Sequence, residues 1–298
     1  MTPNKHLGRV GAAVATVVAS LCVLISSNST AGIADTKHNL GSGPAAAAAG
    51  RVNNVTDTAE ICVFCHTPHA ADVSAPTPLW NKRLATGATY TTYASLNTPS
   101  LDGTVAPVGS VSLACLSCHD GTQAMDNIIN APGSGGVDAT GGGAGGRAFT
   151  WSTAVGATAN AAGNLASGAG LIGADLSNDH PVGIQYCGGS TVGTAGLTGA
   201  GTVVSGTCKD SDFRLPNTAL INNAQVFWVD TGGTGKQRTD LPLYPRATFG
   251  PLVECATCHD PHVSTGQAGP TGTTQVAGAT FLRISNASSA VCTACHVK

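Results

Sequence analysis

Charged residues make up only 10% of this 298-residue chain, far below the usual quarter, and they nearly cancel to a net charge of -2. Nucleic acid would call for a basic patch, and steering towards a charged partner for a denser field; the composition supports neither. Aromatic residues are 4%, too few for an ordinary side-chain core. Methionine occurs twice, as Met1 and Met125. Beyond the N-terminal region no apolar run is long enough to span a membrane. No fixed period of the kind that marks a solenoid is found.

What is present is glycine, 39 residues of it, and eleven cysteines with an unusual spacing. Cys62-Val63-Phe64-Cys65-His66 is a C-x-x-C-H run, and it recurs at Cys115–Cys118–His119, Cys255–Cys258–His259 and Cys292–Cys295–His296. Four C-x-x-C pairs could also build two four-cysteine zinc sites. Zinc has no use for a histidine directly after every second cysteine, however. With nine histidines in the chain, four chance matches have a probability of roughly 10⁻⁶. The run is the attachment signature of c-type haem: both sulfurs form thioethers to the macrocycle, and the adjacent histidine becomes an axial ligand. Four covalently attached haems would supply the large apolar bodies that the side chains do not.

The N-terminus reads as a secretory signal: Lys5 and Arg9 are followed by an apolar stretch from Gly11 to Ile25, with cleavage expected after Ala31 or Ala34. Residues 1–34 are therefore signal peptide, and 35–298 a single tetrahaem domain that is exported, as haem c attachment requires. Gly/Thr-rich insertions are expected near 132–170 and 188–206. Cys187 and Cys208 are the two mature cysteines outside the motifs, and in an exported chain they are expected to form a disulfide. The fold class expected is mostly irregular coil, with short helices at the haem motifs and a few short strands. Pro78 to Pro99 suits extended chain, and Gln225 to Val229 a strand closed by the turn at Asp230 to Gly233.

The histidines can be counted against the irons. His6 leaves with the signal, and His66, His119, His259 and His296 are the motif ligands. His38, His69, His180 and His262 remain as four candidates for four sixth positions, with Met125 as competitor. His69 and His262 share a C-H-x-P-H setting; three residues from the motif ligand, neither can cross its own macrocycle, so each is expected to reach a neighbouring haem. His180 follows Asp179, which could orient its ring. His38 lies 24 residues before Cys62, so it could serve its own chain or the next molecule. Six-coordinate irons leave no open position for a substrate, so electron transfer is expected, with no catalytic residues. A haem reductase would need a five-coordinate iron and acid–base residues around it.

Lys37-His38-Asn39-Leu40, the CVFCHTPH run, PLWN at 78–81, CLSCHDGT, SNDHPVG at 177–183, CATCHDPH, FLRISN at 281–286 and CTACH follow one another in this order. This series resembles the exported multihaem cytochromes of metal-reducing bacteria, most of all the OmcE-type tetrahaem cytochromes that form extracellular filaments. The resemblance implies a chain of stacked haems, bis-histidine irons, and a histidine from one subunit completing a haem of its neighbour. By position that histidine is expected to be His38. The partners implied are further copies of the chain, upstream periplasmic or outer-membrane cytochromes, and an extracellular electron acceptor. The alternative is a non-polymeric periplasmic or surface carrier with the same haems.

Overall fold

The computed structural model describes residues 33–43, 51–74, 76–84, 89–132, 149–153, 156–179, 181–189, 208–246, 249–263 and 281–297. The expected signal peptide, His180 and much of both glycine-rich insertions lie outside them. Coil dominates, as the composition implies. The longest described helix is α1, Ser110–His119, with ten residues. Two shorter helices follow, α2 at Cys255–Cys258 and α3 at Ala290–Cys295, and a 3₁₀ turn spans Cys62–Phe64. Every helical turn in this set contains one of the cysteine motifs. No described helix is long and apolar enough to cross a membrane.

The strands form more of the fold than the sequence suggests. β1 (Ile184–Gln185), β2 (Asn217–Ile221), β3 (Ala224–Val229), β4 (Leu241–Arg246) and β5 (Gly250–Val253) make one antiparallel sheet in the order β1-β5-β4-β3-β2. Asn222 and Asn223 join β2 to β3 with φ of 49° and 62°, the left-handed pair that a tight hairpin turn requires and asparagine tolerates. β4 contains Pro242 and Pro245, which argue against a central strand. The register removes the conflict: Pro242 lies in the half of β4 paired with β3, and Pro245 in the half paired with β5. Each proline is thus locally on an edge, with no ladder hydrogen bond demanded of it on the unpaired side.

Two apolar clusters hold the structure. Tyr186, Phe227, Val229, Leu241 and Leu243 pack with Cys187 and Cys208 on the sheet, and Cys295 of the fourth motif lies against them. Cys187 and Cys208 form the expected disulfide, with Cα atoms 4.7 Å apart. The second cluster, Leu40, Val55, Phe64, Met125 and Trp151, packs against Cys65 and Cys118 of the first two motifs. Trp151 and Leu165 come from the Gly/Ala-rich stretch, and both are buried. The described part of that stretch is therefore coil built into the core. Gly121 shows how tight this packing is: its φ is +76°, and a Cβ there would lie 2.8 Å from the Leu165 carbonyl oxygen.

Candidate metal centre

Each motif is wound so that its two cysteines, three residues apart, share one side of a helical turn. The motif histidine then donates its backbone N–H to the carbonyl of the first cysteine: 2.8 Å at His66, 3.1 Å at His259 and 3.0 Å at His296. None of the eight motif cysteines is paired in a disulfide. Among the described residues, no group of three or more His, Cys, Asp or Glu side chains is placed to hold a bare metal ion, so the cysteines are not gathered into four-sulfur sites.

A second segment latches each motif from outside. Asn81 donates its N–H to the Cys65 carbonyl (2.8 Å), while Thr67 donates to Leu79 (2.9 Å). At the third motif Arg283 donates to Cys258 and Asp260 to Phe281, both at 2.8 Å. At the fourth, Arg214 donates to Cys295 and Val297 to Asp212, again both at 2.8 Å. In each case the central latch residue, Trp80, Leu282 or Phe213, bridges the backbone of the motif histidine. The second motif uses residues 170–173, with Ile172 donating to the His119 carbonyl at 2.8 Å. Sequence reading missed these latches as a set, because the fourth precedes its motif whereas the other three follow theirs.

The latches also fix the rings. His66 Nδ1 lies 2.7 Å from the Pro78 carbonyl, and His119 Nδ1 lies 2.6 Å from that of Gly170. A carbonyl only accepts, so Nδ1 carries the hydrogen and Nε2 keeps the lone pair that a metal would use. His262 Nδ1 lies 3.1 Å from Asp260 Oδ1, which imposes the same tautomer. Burial pushes the Asp260 carboxyl up, but hydrogen bonds from the His262 ring and N–H, with Arg283 beside it, hold it down at about 2.

Two pairs of rings then meet. His66 and His262 have centroids 6.1 Å apart with planes 14° from parallel, and His38 and His119 have centroids 6.0 Å apart at 72°. Two imidazoles on opposite sides of one metal ion, bonded at about 2 Å, have ring centres about 6 Å apart. The donor set thus fits a bis-histidine haem at the first two motifs. His262 reaches a motif other than its own, as its spacing requires.

His38 was expected to serve either its own chain or a second copy; its ring lies against His119 of its own chain and stacks on Phe281 at 4.2 Å. The reason is local anchoring. Asn39 Nδ2 donates to the Ala34 carbonyl at 2.7 Å, Arg51 donates to the Asn39 carbonyl at 2.7 Å, and Leu40 is buried in the second cluster. Burial first, and then the neighbouring His119, push the His38 pKa down to about 4, so the ring is held neutral as a metal ligand must be.

His69 is different. It is exposed, and its ring meets no hydrogen-bonding or stacking partner among the described residues. His296 is also exposed, with Phe213 against its ring at 4.4 Å. His259 is half-buried, and His180 lies outside the described residues. Met125 is packed in the second cluster, and its position there is that of a core side chain.

The sulfurs place the motifs in series. Burial, then the Cys118 thiol, push Cys65 up to about 12. Cys115 is pushed up chiefly by a hydrogen bond to Cys255, and burial followed by Cys258 pushes Cys295 up to about 12. First and second, second and third, and third and fourth motifs are therefore close enough for their thiols to interact. Between second and third, Glu254 is buried: Ser112 Oγ donates to it at 2.6 Å, and its other oxygen has no partner. Burial pushes its pKa up to about 7. No family model matches the chain, and no curated protein is similar to it by sequence.

Proposed function

We propose that this chain is an exported tetrahaem c-type cytochrome whose copies polymerise into an extracellular conducting filament. The observation that supports this most is the pair of ring separations, 6.1 and 6.0 Å, at two of four C-x-x-C-H motifs. Cys62 and Cys65, Cys115 and Cys118, Cys255 and Cys258, and Cys292 and Cys295 would hold the haems, with His66, His119, His259 and His296 beneath the irons. Haem held in this way supplies a one-electron Fe(III)/Fe(II) couple. The chain's own part is to fix the rings and to set neighbouring sites side by side. The sulfurs of consecutive motifs lie close enough to interact, which supports electron hopping between neighbouring haems.

His262 opposite His66 and His38 opposite His119 close two sites from within the chain. A closed site offers no position for a substrate, which favours a carrier over a reductase. His259 and His296 then need His180 and His69. His69 and His296 are both exposed, and we assign them to each other across two copies: His69 of one copy completes the site of His296 in the next. His180 is left for His259. This assignment takes the linking role from His38 and keeps the head-to-tail logic. Upstream cytochromes would load the filament, and a mineral, electrode or partner cell would unload it.

Electron microscopy of the native exported protein, with a haem count by mass spectrometry and a ferric spectrum, tests this. Filaments carrying four low-spin haems per chain are expected. Monomers with all four irons low-spin would leave a soluble or surface carrier, and a chain without covalent haem would end the reading. His69→Ala should release subunits with one high-spin iron in four, whereas His38→Ala should disturb a site without separating subunits.

A further inference from the structure

Lys82 is fully buried. Its Nζ donates to the carbonyls of Ala124 (2.7 Å), Asn127 (3.2 Å) and Met125 (3.4 Å). An amine surrounded by three acceptors needs three hydrogens, so the group is the ammonium, and its positive charge sits in the interior. Among the described residues no carboxylate forms an ion pair with it. Asp126 belongs to the same loop and is buried, but its Oδ2 accepts from the Phe149 N–H and its Oδ1 has no partner. In a chain with so few charges, Lys82 and Arg51 are both buried with carbonyls as their partners, and such burial calls for an explanation.

The position supplies one. Lys82 follows Asn81, whose N–H latches Cys65, and the Met125 it holds packs with both Cys65 and Cys118. The charge is therefore lodged between the first and second motifs. The other copy of the latch answers differently. Arg283 corresponds to Asn81 and is paired with Asp260 at 3.4 Å; Ile284 corresponds to Lys82 and packs against the sheet cluster. Among the described residues, the latch of the third motif thus has no counterpart of the unpaired buried cation.

We propose that Lys82 raises the reduction potentials of the first two sites, so that electrons are held more firmly at that end of each subunit than they would be without it. The inference rests on the haem reading above. A buried positive charge favours the state that has gained an electron. At an effective dielectric of about 20 and a separation of about 10 Å, one charge changes the reduced-to-oxidised ratio roughly tenfold at a fixed electrode potential. Tenfold is about 59 mV for one electron. Lys82 acts through the sites it neighbours and is a positioning residue for charge, with no contact to a reacting atom required.

The test is a redox titration of purified native protein and of Lys82→Met, Lys82→Gln and Lys82→Arg, each first checked for four covalent haems and a low-spin spectrum. Two of the four potentials should fall in the Met variant by about the tenfold equivalent, and in the Gln variant similarly. The Arg variant should keep them. Four unchanged potentials in a Met or Gln variant that retains its haems would overturn the proposal. So would an Arg variant that loses as much as Met, because that would make shape the cause. If Met does not fold, Gln decides. Absence of covalent haem in the native protein would defeat the haem reading itself, a result distinct from unchanged potentials.

Discussion

Residues 62–69 and 255–262 share the pattern C-x-x-C-H-x-P-H, and with their latches at 79–82 and 281–284 they can be compared position by position. Both put two cysteines on a helical turn, both latch it with a bridging residue, and both set the residue before that bridge in the left-handed region, with φ of 56° at Leu79 and 59° at Phe281. They differ at one ring. His262 is aimed by Asp260 towards His66. His69 has Thr67 in the place of Asp260, and Thr67 Oγ donates to the His69 carbonyl at 3.0 Å. Asn130 adds a second donor to that carbonyl at 2.8 Å. The threonine fixes the backbone and leaves the imidazole free, whereas the carboxylate fixes the imidazole itself. The difference teaches that one motif can look inward or outward according to a single second neighbour.

Breaking the inward copy should have the largest effect. His262→Ala removes the ring opposite His66, and one high-spin haem in four is expected by optical and paramagnetic resonance spectra. An unchanged low-spin spectrum would sink the pairing. Next comes the sheet under the fourth motif. Cys187→Ser with Cys208→Ser should lower stability by about 3 kcal/mol in the chain-entropy model, read from denaturant unfolding.

Glu254 lies between the second and third motifs and should give a pH signature. Burial holds its folded pKa at about 7, above the ordinary 4.5 of an exposed glutamate. The folded state therefore favours the protonated acid, so its contribution is full below about pH 4.5 and is lost as pH rises through about 7. The loss is on the order of 3 kcal/mol. Glu254→Gln should flatten stability over that window, and an unaltered pH profile would show that the carboxyl is not the source.

Smaller still is the carboxylate that aims His262. Asp260→Thr, which copies the outward segment, should weaken that ligand by about 10- to 100-fold, as loss of such an orienting partner typically does. Competition with added imidazole measures it. The reverse change, Thr67→Asp, sharpens the contrast: it should order the His69 ring with little change in melting temperature, and an altered assembly rate is the expected readout.

Much of the candidate site was legible from spacing alone. Two cysteines three apart with a following histidine specify their own local geometry, because a helical turn brings them to one side whatever surrounds it. Spacing also made His262 a candidate for a motif other than its own, and its ring does lie beside that of His66. His38 was not legible, since its partner depends on how residues 33–41 are pinned by Asn39, Arg51 and Leu40. The five-stranded sheet was largely hidden. Two prolines in Leu241–Arg246 argue against a strand, and only the register shows that each faces an unpaired side. The coil of the Gly/Ala-rich stretch was read correctly, but the burial of Trp151 and Leu165 within it was not.

By itself, then, the sequence determined the four motifs, the disulfide pair, the scarcity of regular structure and the set of histidines from which ligands could be drawn. These are local or compositional, and each is fixed by residues a few positions apart or by the two cysteines left outside the motifs. Tertiary structure alone decided which histidine faces which, which segment latches each motif, and that Lys82 lies buried without a counter-ion. Those depend on contacts between residues far apart in the chain, such as the 42 residues between Lys82 and Ala124, and no local rule fixes them in advance.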